Sequence, residues 1–283
     1  MNERLAADAY CKLLTASHYE NFIVAGPLVR SELRVHLRRI YAFCRTTDDL
    51  GDESGGDALS RLARWRDEVV GTFEGHAPVH PVLIALRETI AECALPAAPF
   101  LDLIQANVMD QSVHSYETWP DLLGYCMLSA APVGRLVLRV FNIYSSTAEK
   151  LSDDVCNGLQ LANHAQDVTR DRAIGRTYLL QSDIRSHGIA GAVRALCDRA
   201  TALLQSGRAL EAMAPYALRL QLALYRLGGL AICRRIAALD YRTDLRRPSI
   251  GAARRWAIFM LAALQSLHRL KEPGSAQALG SHR

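Results

Sequence analysis

The sequence NHAQDVTRD at residues 163–171 carries a side-chain oxygen at every fourth position, on Asn163, Asp167 and Asp171. In an α-helix these side chains form one stripe, which drifts by about 40° per step and climbs roughly 12 Å in all. Apolar residues such as Leu161 surround the stripe, which indicates that it faces a cavity and not bulk water. The spacing therefore predicts a helix with a metal-binding face.

A second acidic cluster, TDDLGDE at residues 47–53, lies upstream and pairs Asp48 with Asp52 at the same helical spacing, with Asp49 between them. Carboxylates on two facing helices would repel each other unless cations lay between them. Mg²⁺ fits best, because it takes oxygen ligands and usually binds through a few carboxylates together with the phosphate oxygens of a substrate. We predict that the two clusters hold about two or three Mg²⁺ ions against a diphosphate.

Two arginines and two tyrosines lie close to these clusters in sequence. Arg45 precedes the first cluster and Arg176 follows the second, so both are candidates to bind the diphosphate. Tyr41 and Tyr178 are candidates to hydrogen-bond a substrate oxygen, although both also suit a core. Each acidic cluster taken alone could be an ordinary solvated helix end or face. Their joint presence in apolar helices, where unpaired charge is costly, favours a site.

Length and composition favour one helical domain. The chain has 283 residues, half of them hydrophobic, and its net charge of +4 is too small for a dedicated nucleic-acid protein. Its seven cysteines include no C-x-x-C pair, which argues against a zinc site or a disulfide framework. We expect no segment with the roughly 20 apolar residues that span a bilayer. We expect a cytoplasmic protein, and the arginine-rich last third is compatible with a peripheral contact on the inner membrane face.

Helical periodicity without strand-like alternation predicts an all-α fold. One domain should cover residues 1–272, and the tail at 273–283 should be disordered. Pro27 should open the helix that leads to the first cluster, and Pro132 should kink another helix. Residues 178–187 should be irregular. Besides the helix with the acidic stripe, the predicted helices cover residues 4–16, 27–48, 58–73, 81–93, 96–109, 119–141, 190–213, 216–239 and 250–270.

Taken together, these residues resemble the squalene and phytoene synthase family. The resemblance rests on YAFCRTTDDLGDE at residues 41–53, on Tyr125-Cys126, and on the acidic stripe followed by GRTY at residues 175–178. It implies an isoprenoid-synthase helical bundle around a central apolar cavity. The candidate cavity walls are Val133, Gly134, Leu136, Val137, Leu159 and Ala162, and ordinary helix packing at small residues is the alternative for this region.

Within the family, HYENF at residues 18–22 and SAAPVGRL at residues 129–136 look most like the bacterial hopanoid-pathway branch, the hydroxysqualene synthases. That branch implies Mg²⁺-dependent ionisation of presqualene diphosphate and capture of the cation by water, with no nicotinamide and with neighbouring hopanoid-pathway enzymes as partners. Ile23, Ser115 and Leu180 depart from the family pattern, but none of them is a metal ligand. The residues that we expect to act in catalysis are Asp48, Asp52, Asp167, Asp171, Tyr41 and Tyr178.

Two other hypotheses stay open at this point. The first is a related enzyme that condenses two prenyl diphosphates to phytoene or dehydrosqualene. The second is a non-catalytic lipid-binding or assembly protein on the same fold, which would be free to lose Asp167 or Asp171. The intact acidic motifs argue against this second alternative. The prenyl chain length and the oligomeric state do not follow from the sequence.

Overall fold

The computed structural model describes residues 3–17, 29–52 and 57–268. Within these ranges the chain is α-helical, with no β-strand, and one isolated bridge pairs Ser115 with Thr177. The prediction of an all-α fold is confirmed. The helices are α1 (Glu3–Ser17), α2 (Ser31–Asp52), α3 (Ala58–Phe73), α4 (Pro81–Glu92), α5 (Ala98–Met109), α6 (Trp119–Ser129), α7 (Ala131–Val140), α8 (Ser146–Gln166), α9 (Val168–Ala173), α10 (Gln181–Met213), α11 (Tyr216–Ala237) and α12 (Ala252–His268).

Most helices begin and end within a few residues of the predicted positions. The predictions for Pro27, for HYENF at 18–22 and for the tail at 273–283 fall outside the described residues. Pro132 acts as predicted, since the helix expected over 119–141 is broken at Ala130 into α6 and α7. The prediction of an irregular segment at 178–187 is wrong from Gln181 onward, because α10 already begins there and Gly188 only kinks it.

Two apolar clusters form most of the core, and the site lies where helices from both meet. Helices α2 to α5 contribute Phe43, Leu62, Leu83 and Phe100 to the first cluster, which α1 and α7 complete. Helices α6, α8, α10 and α11 form the second cluster. Helix α7 packs against both α2 and α8, so the helices that carry the two acidic motifs meet the same part of the bundle.

Residues Trp119–Val140 satisfy the length and hydropathy that a membrane-crossing helix needs, contrary to the expectation that no segment would. In the structure this segment is the pair α6 and α7, which packs against α5 and α8. Leu122, Cys126, Leu136 and Leu138 are fully or almost fully buried there. The place of the segment in the core accounts for part of its apolar composition, since 44% of its apolar window is buried.

A buried ion pair connects the last three helices. Arg226 on α11 donates from Nε to Glu211 Oε1 on α10 at 2.5 Å, and both side chains are more than nine-tenths buried. The same guanidinium reaches Gln265 Oε1 on α12 at 3.0 Å. Charges removed from water in this way are tolerated only when their hydrogen bonds are made. The network therefore fixes the packing of α10, α11 and α12.

Candidate active site

The carboxyl-terminal half of α2 presents the first acidic cluster. Tyr41, Arg45, Asp48 and Asp52 recur at helical spacing and share one face. The opposite face is held in the core, where Trp65 Nε1 donates to Thr47 Oγ1 at 2.9 Å. The rotation of α2 is thereby fixed with its acidic face outward from the core.

Helix α5 braces this cluster from the side. Asn107 Nδ2 donates to Asp48 Oδ1 at 3.3 Å, and Gln111 Nε2 donates to the carbonyl of Gly51 at 3.1 Å. A Cβ at Gly51 would lie 2.6 Å from Asn107 Oδ1, so a larger residue there would displace the Asn107 amide that holds Asp48. Water reaches Asp48, but protein atoms surround it densely, and this burial together with the charge of Asp52 raises its pKa to about 6.

The second acidic cluster does not lie on one continuous helix, contrary to the prediction. Helix α8 ends at Gln166, and Asp167 has φ −102° and ψ 18° before α9 begins. The fourth-residue hydrogen bonds nevertheless persist, from the Asp167 N–H to the Asn163 carbonyl and from the Asp171 N–H to the Asp167 carbonyl, both at 2.9 Å. The helical spacing between Asn163, Asp167 and Asp171 is thus preserved, although the chain bends at Asp167.

Contacts from a segment about 80 residues later explain the bend. Gln166 Nε2 donates to the carbonyl of Pro248 at 2.8 Å, and Thr169 Oγ1 donates to the carbonyl of Thr243 at 2.8 Å. Arg247 forms an ion pair with Asp167, with Nε 2.5 Å from Oδ1. The segment 243–248 therefore holds both sides of the break. Local sequence carries no sign of these contacts.

Asp110 connects the two clusters, and sequence analysis missed it. It caps α5 and accepts hydrogen bonds from the hydroxyls of Tyr125 at 3.0 Å and Tyr178 at 3.5 Å. Burial raises its pKa, the nearby Arg176 guanidinium lowers it, and the charge of Asp52 raises it again. The next residue, Gln111, donates to the carbonyl of Gly51 on α2, so Asp110 lies beside the first cluster.

The second cluster lies on the other side of Asp110. Burial first, then the charges of Asp167 and Asp110, raise the pKa of Asp171 to about 6. Arg176 Nη1 lies 3.6 Å from Asp110 Oδ2, and this guanidinium also interacts with Asp52. Arg176 thus interacts with carboxylates of both clusters, and its role at a diphosphate stays a prediction.

An aromatic cluster packs beneath Asp110. The Tyr178 ring stacks on His164 with 3.7 Å between ring centroids, and Tyr125 lies 5.6 Å from Tyr178. Burial lowers the pKa of His164 to about 3, so this imidazole is neutral, and its Nε2 has no hydrogen-bond partner among the described residues. Burial also raises the pKa of Tyr178 to about 12 and raises that of Tyr41. Both phenols are therefore hydrogen-bond donors at neutral pH.

The comparisons with known proteins identify the family of this chain. The family model of squalene/phytoene synthase matches residues 15–254. The chain belongs to the squalene/phytoene synthase family. It is 32% identical over 224 residues to the hydroxysqualene synthase of Rhodopseudomonas palustris, covering 74% of this chain and 73% of that protein. The hydroxysqualene synthase of Zymomonas mobilis is 37% identical over 168 residues, covering 58% of this chain and 56% of that protein.

A solved structure supports the same assignment. The crystal structure of squalene synthase HpnC from Alicyclobacillus acidocaldarius superimposes with a TM-score of 0.80 at 43% identity, covering 85% of this chain and 97% of that one. A dehydrosqualene synthase gives a TM-score of 0.83 at 20% identity, which shows the shared fold. The predicted family, the isoprenoid-synthase fold and the enzyme class are confirmed, so the non-catalytic alternative loses its support.

The carboxylates of this squalene/phytoene synthase suit cations that a substrate helps to bind. Among the described residues, no group of three or more His, Cys, Asp or Glu side chains is arranged to hold an ion by itself. Mg²⁺ commonly binds through one or two carboxylates plus phosphate oxygens and water, so paired carboxylates without a closed cage fit it. Burial first, and neighbouring carboxylates second, raise the pKa values of Asp48 and Asp171, so a bound cation would favour their ionised forms.

Two of the predicted site residues are paired with each other. The guanidinium of Arg45 forms an ion pair with Asp49, four residues later on α2, and its Nε has no hydrogen-bond partner among the described residues. Asp49 is thus neutralised by Arg45 when no substrate is bound. If Asp49 ligated a cation, Arg45 would become available to a diphosphate.

The predicted cavity walls fall into two groups. Val133 and Val137 on α7 and Leu159 on α8 are only partly buried, although their helices belong to the core. Leu136 and Ala162 are buried, and a Cβ at Gly134 would lie 2.3 Å from Ser152 Oγ on α8. Gly134 therefore has a packing role, and the three partly buried residues are the stronger candidates for a cavity wall.

Proposed function

We propose that this synthase ionises presqualene diphosphate and adds water to the cation, giving hydroxysqualene and diphosphate. The observation that carries the proposal is the arrangement of both acidic clusters around one shared guanidinium, Arg176, with Asp110 between them. An anionic leaving group fits such a site only when cations accompany it. The names of the relatives in Rhodopseudomonas and Zymomonas support this choice of reaction.

The chain's own residues would position the diphosphate. Asp48, Asp49, Asp52, Asn163, Asp167 and Asp171 would hold Mg²⁺, which when bound neutralises the leaving diphosphate. Arg176 would bind a diphosphate oxygen with its planar fork, and Arg45 would join it after release from Asp49. The bond between carbon and the diphosphate oxygen breaks, and its electron pair leaves with the diphosphate.

The remaining cation needs a dry and electron-rich environment. Val133, Val137 and Leu159 would exclude water from the prenyl chains. The aromatic cluster of Tyr178 and Tyr125 would add an electron-rich environment nearby, although His164 covers one face of the Tyr178 ring. A single water then forms the new carbon–oxygen bond and loses a proton.

The proton acceptor was left open between Tyr41, Tyr178 and the released diphosphate. The raised pKa values of both tyrosines make phenolate scarce at neutral pH. Both phenols therefore donate hydrogen bonds, and Tyr178 already donates to Asp110. We assign the proton to the released diphosphate.

Product analysis tests the proposal. Given presqualene diphosphate and Mg²⁺ without a nicotinamide, the protein should form hydroxysqualene, and added NADPH should not divert the product to squalene. Mass analysis of the extracted lipid decides this. Squalene formed only with NADPH would refute the water reaction. Phytoene formed from geranylgeranyl diphosphate would favour the alternative reaction. A relative from Arthrospira platensis that is named phytoene synthase is 31% identical over 197 residues, which is why this alternative is tested.

Binding of Mg²⁺ together with inorganic diphosphate should depend on pH. Asp48 and Asp171 have pKa values near 6, above the ordinary 3.8, so their ionisation destabilises the metal-free fold as pH rises through this window. Bound cations offset the cost of these negative charges only when both carboxyls are ionised. The ligands should therefore raise the melting temperature more at about pH 7.5 than at about pH 5.5. An equal shift at both values would contradict the assignment.

The cellular setting completes the proposal. We place the enzyme in the cytoplasm, in peripheral contact with the inner membrane face, next to enzymes that supply presqualene diphosphate and consume hydroxysqualene. Both the substrate chains and the product are lipids, so a position at the bilayer would shorten their transfer.

A further inference from the structure

The outer face of α12 is apolar, although it points away from the protein. Trp256, Met260, Leu264 and Leu267 lie within about 80° of one another around the helix axis. Their side chains are 49% to 68% exposed. The opposite side of α12 packs against the protein, because Ile258 and Ala262 contact apolar residues of α11. A surface helix usually turns polar residues outward, so a continuous apolar stripe indicates a partner.

The segment that leads into α12 is rich in arginine and contains no acidic residue. Residues 245–268 contain four arginines and neither Asp nor Glu. Arg246, Arg254 and Arg255 are exposed. Arg235 and Arg254, with Ser249, Ile250 and Gly251, line a surface cavity of about 220 Å³ beside the start of α12. This cavity offers two guanidinium groups to one anionic group.

We infer that α12 and the adjoining arginine cavity dock the enzyme on a bilayer that contains anionic phospholipid. An amphipathic helix with Trp and Leu on one face and arginines outside that face, here in the first turn, is typical of segments that lie in the membrane interface. Anionic headgroups complement the uncompensated arginines, whereas a neutral apolar partner would leave them unmatched. The lipid surface accounts for both the stripe and the cavity.

The docking surface adjoins the candidate active site. The cavity begins one residue after Pro248, whose carbonyl accepts the hydrogen bond from Gln166, and Arg247 pairs with Asp167. A bilayer that contacts α12 would therefore lie near the second acidic cluster. This step of the inference rests on the proposed function. The position would let the prenyl chains of the substrate enter the site from the lipid and let the water-insoluble product return to the lipid.

Co-sedimentation of the full chain with vesicles tests the inference. One set is phosphatidylcholine alone, and the other contains about one third phosphatidylglycerol. The protein should bind the anionic vesicles and dissociate as salt is raised. The double variant Met260→Glu/Leu264→Glu should lower the partition coefficient at least about tenfold, because it places two carboxylates in the stripe. The double variant Arg235→Ala/Arg254→Ala should lower it about fivefold for each arginine removed.

Matched controls separate the surface from general charge effects. Leu5→Glu/Leu13→Glu changes two exposed leucines on α1 and adds the same charge, and Arg66→Ala/Arg87→Ala removes two exposed arginines elsewhere. Both controls should change binding by less than about twofold. Equal losses in a control and its α12 counterpart would overturn the inference. Equal binding to the phosphatidylcholine vesicles and to the anionic vesicles would overturn it as well.

Two further measurements complete the test. Sedimentation velocity without lipid should give the same oligomeric state for wild type and for Met260→Glu/Leu264→Glu; loss of a dimer in the variant would show that a second copy covers the stripe and would overturn the inference. Turnover of detergent-dispersed presqualene diphosphate should be the same for both. If the protein forms hydroxysqualene in detergent but does not bind vesicles, the docking inference is wrong and the proposed reaction stands. If it binds vesicles but forms no hydroxysqualene, the proposed reaction is wrong and the docking inference stands.

Discussion

Replacing Asp167 by Asn is expected to lower kcat/KM for diphosphate release by at least about a thousandfold, and Asp48→Asn should do the same. Each change keeps the size of the side chain but removes a negative charge that would hold a cation against the leaving group. The helical fold should survive, because both side chains border the site and lie outside the apolar cores. Release of diphosphate at saturating Mg²⁺ measures the effect, and circular dichroism checks the fold.

Asp198→Asn is a matched control for both variants. Asp198 is also a helical carboxylate next to an arginine, with Arg194 Nε at 4.0 Å, but it lies on the exposed side of α10. Its replacement should leave turnover within about twofold of wild type. Near wild-type release by either site variant would contradict the two-cluster account.

The second large effect concerns stability. Arg226→Ala should lower the free energy of unfolding by about 3–5 kcal/mol, because Glu211 would keep a buried charge without its partner. Urea denaturation followed by circular dichroism measures this loss. The double variant Glu211→Met/Arg226→Met should cost much less, since neither charge then remains buried.

Arg234→Ala is the control for this measurement, because Arg234 is an exposed arginine near the end of the same helix. It should change the free energy of unfolding by less than about 0.5 kcal/mol. If the double methionine variant were as unstable as Arg226→Ala, lost packing would explain the effect better than an unpaired charge.

The acidic clusters could be predicted from the sequence because their chemistry is local. Asp48 and Asp52, like Asn163 and Asp171, are close in the chain, and helical spacing alone puts such residues on related faces. The break between α6 and α7 could also be predicted from Pro132, since proline lacks the N–H that would continue the helical hydrogen bonds.

Other features depend on distant parts of the chain and left no local sign. The bend at Asp167 comes from hydrogen bonds to Thr243 and Pro248. Asp110 stands alone in its segment, and it joins the site only because the fold brings Tyr125 and Arg176 to it. Residues 178–187 were expected to be irregular, yet Gly188, with φ 66°, forms only a kink between two helical parts of α10.

The source of the oxygen in the product tests the central claim most directly. The reaction is run with presqualene diphosphate and Mg²⁺ in heavy-oxygen water, H₂¹⁸O, without a nicotinamide, and the extracted lipid is weighed by mass spectrometry. Water capture predicts hydroxysqualene that carries one heavy oxygen atom. Hydroxysqualene with only ordinary oxygen would show that the oxygen comes from the diphosphate and would contradict the account, as would a product without oxygen.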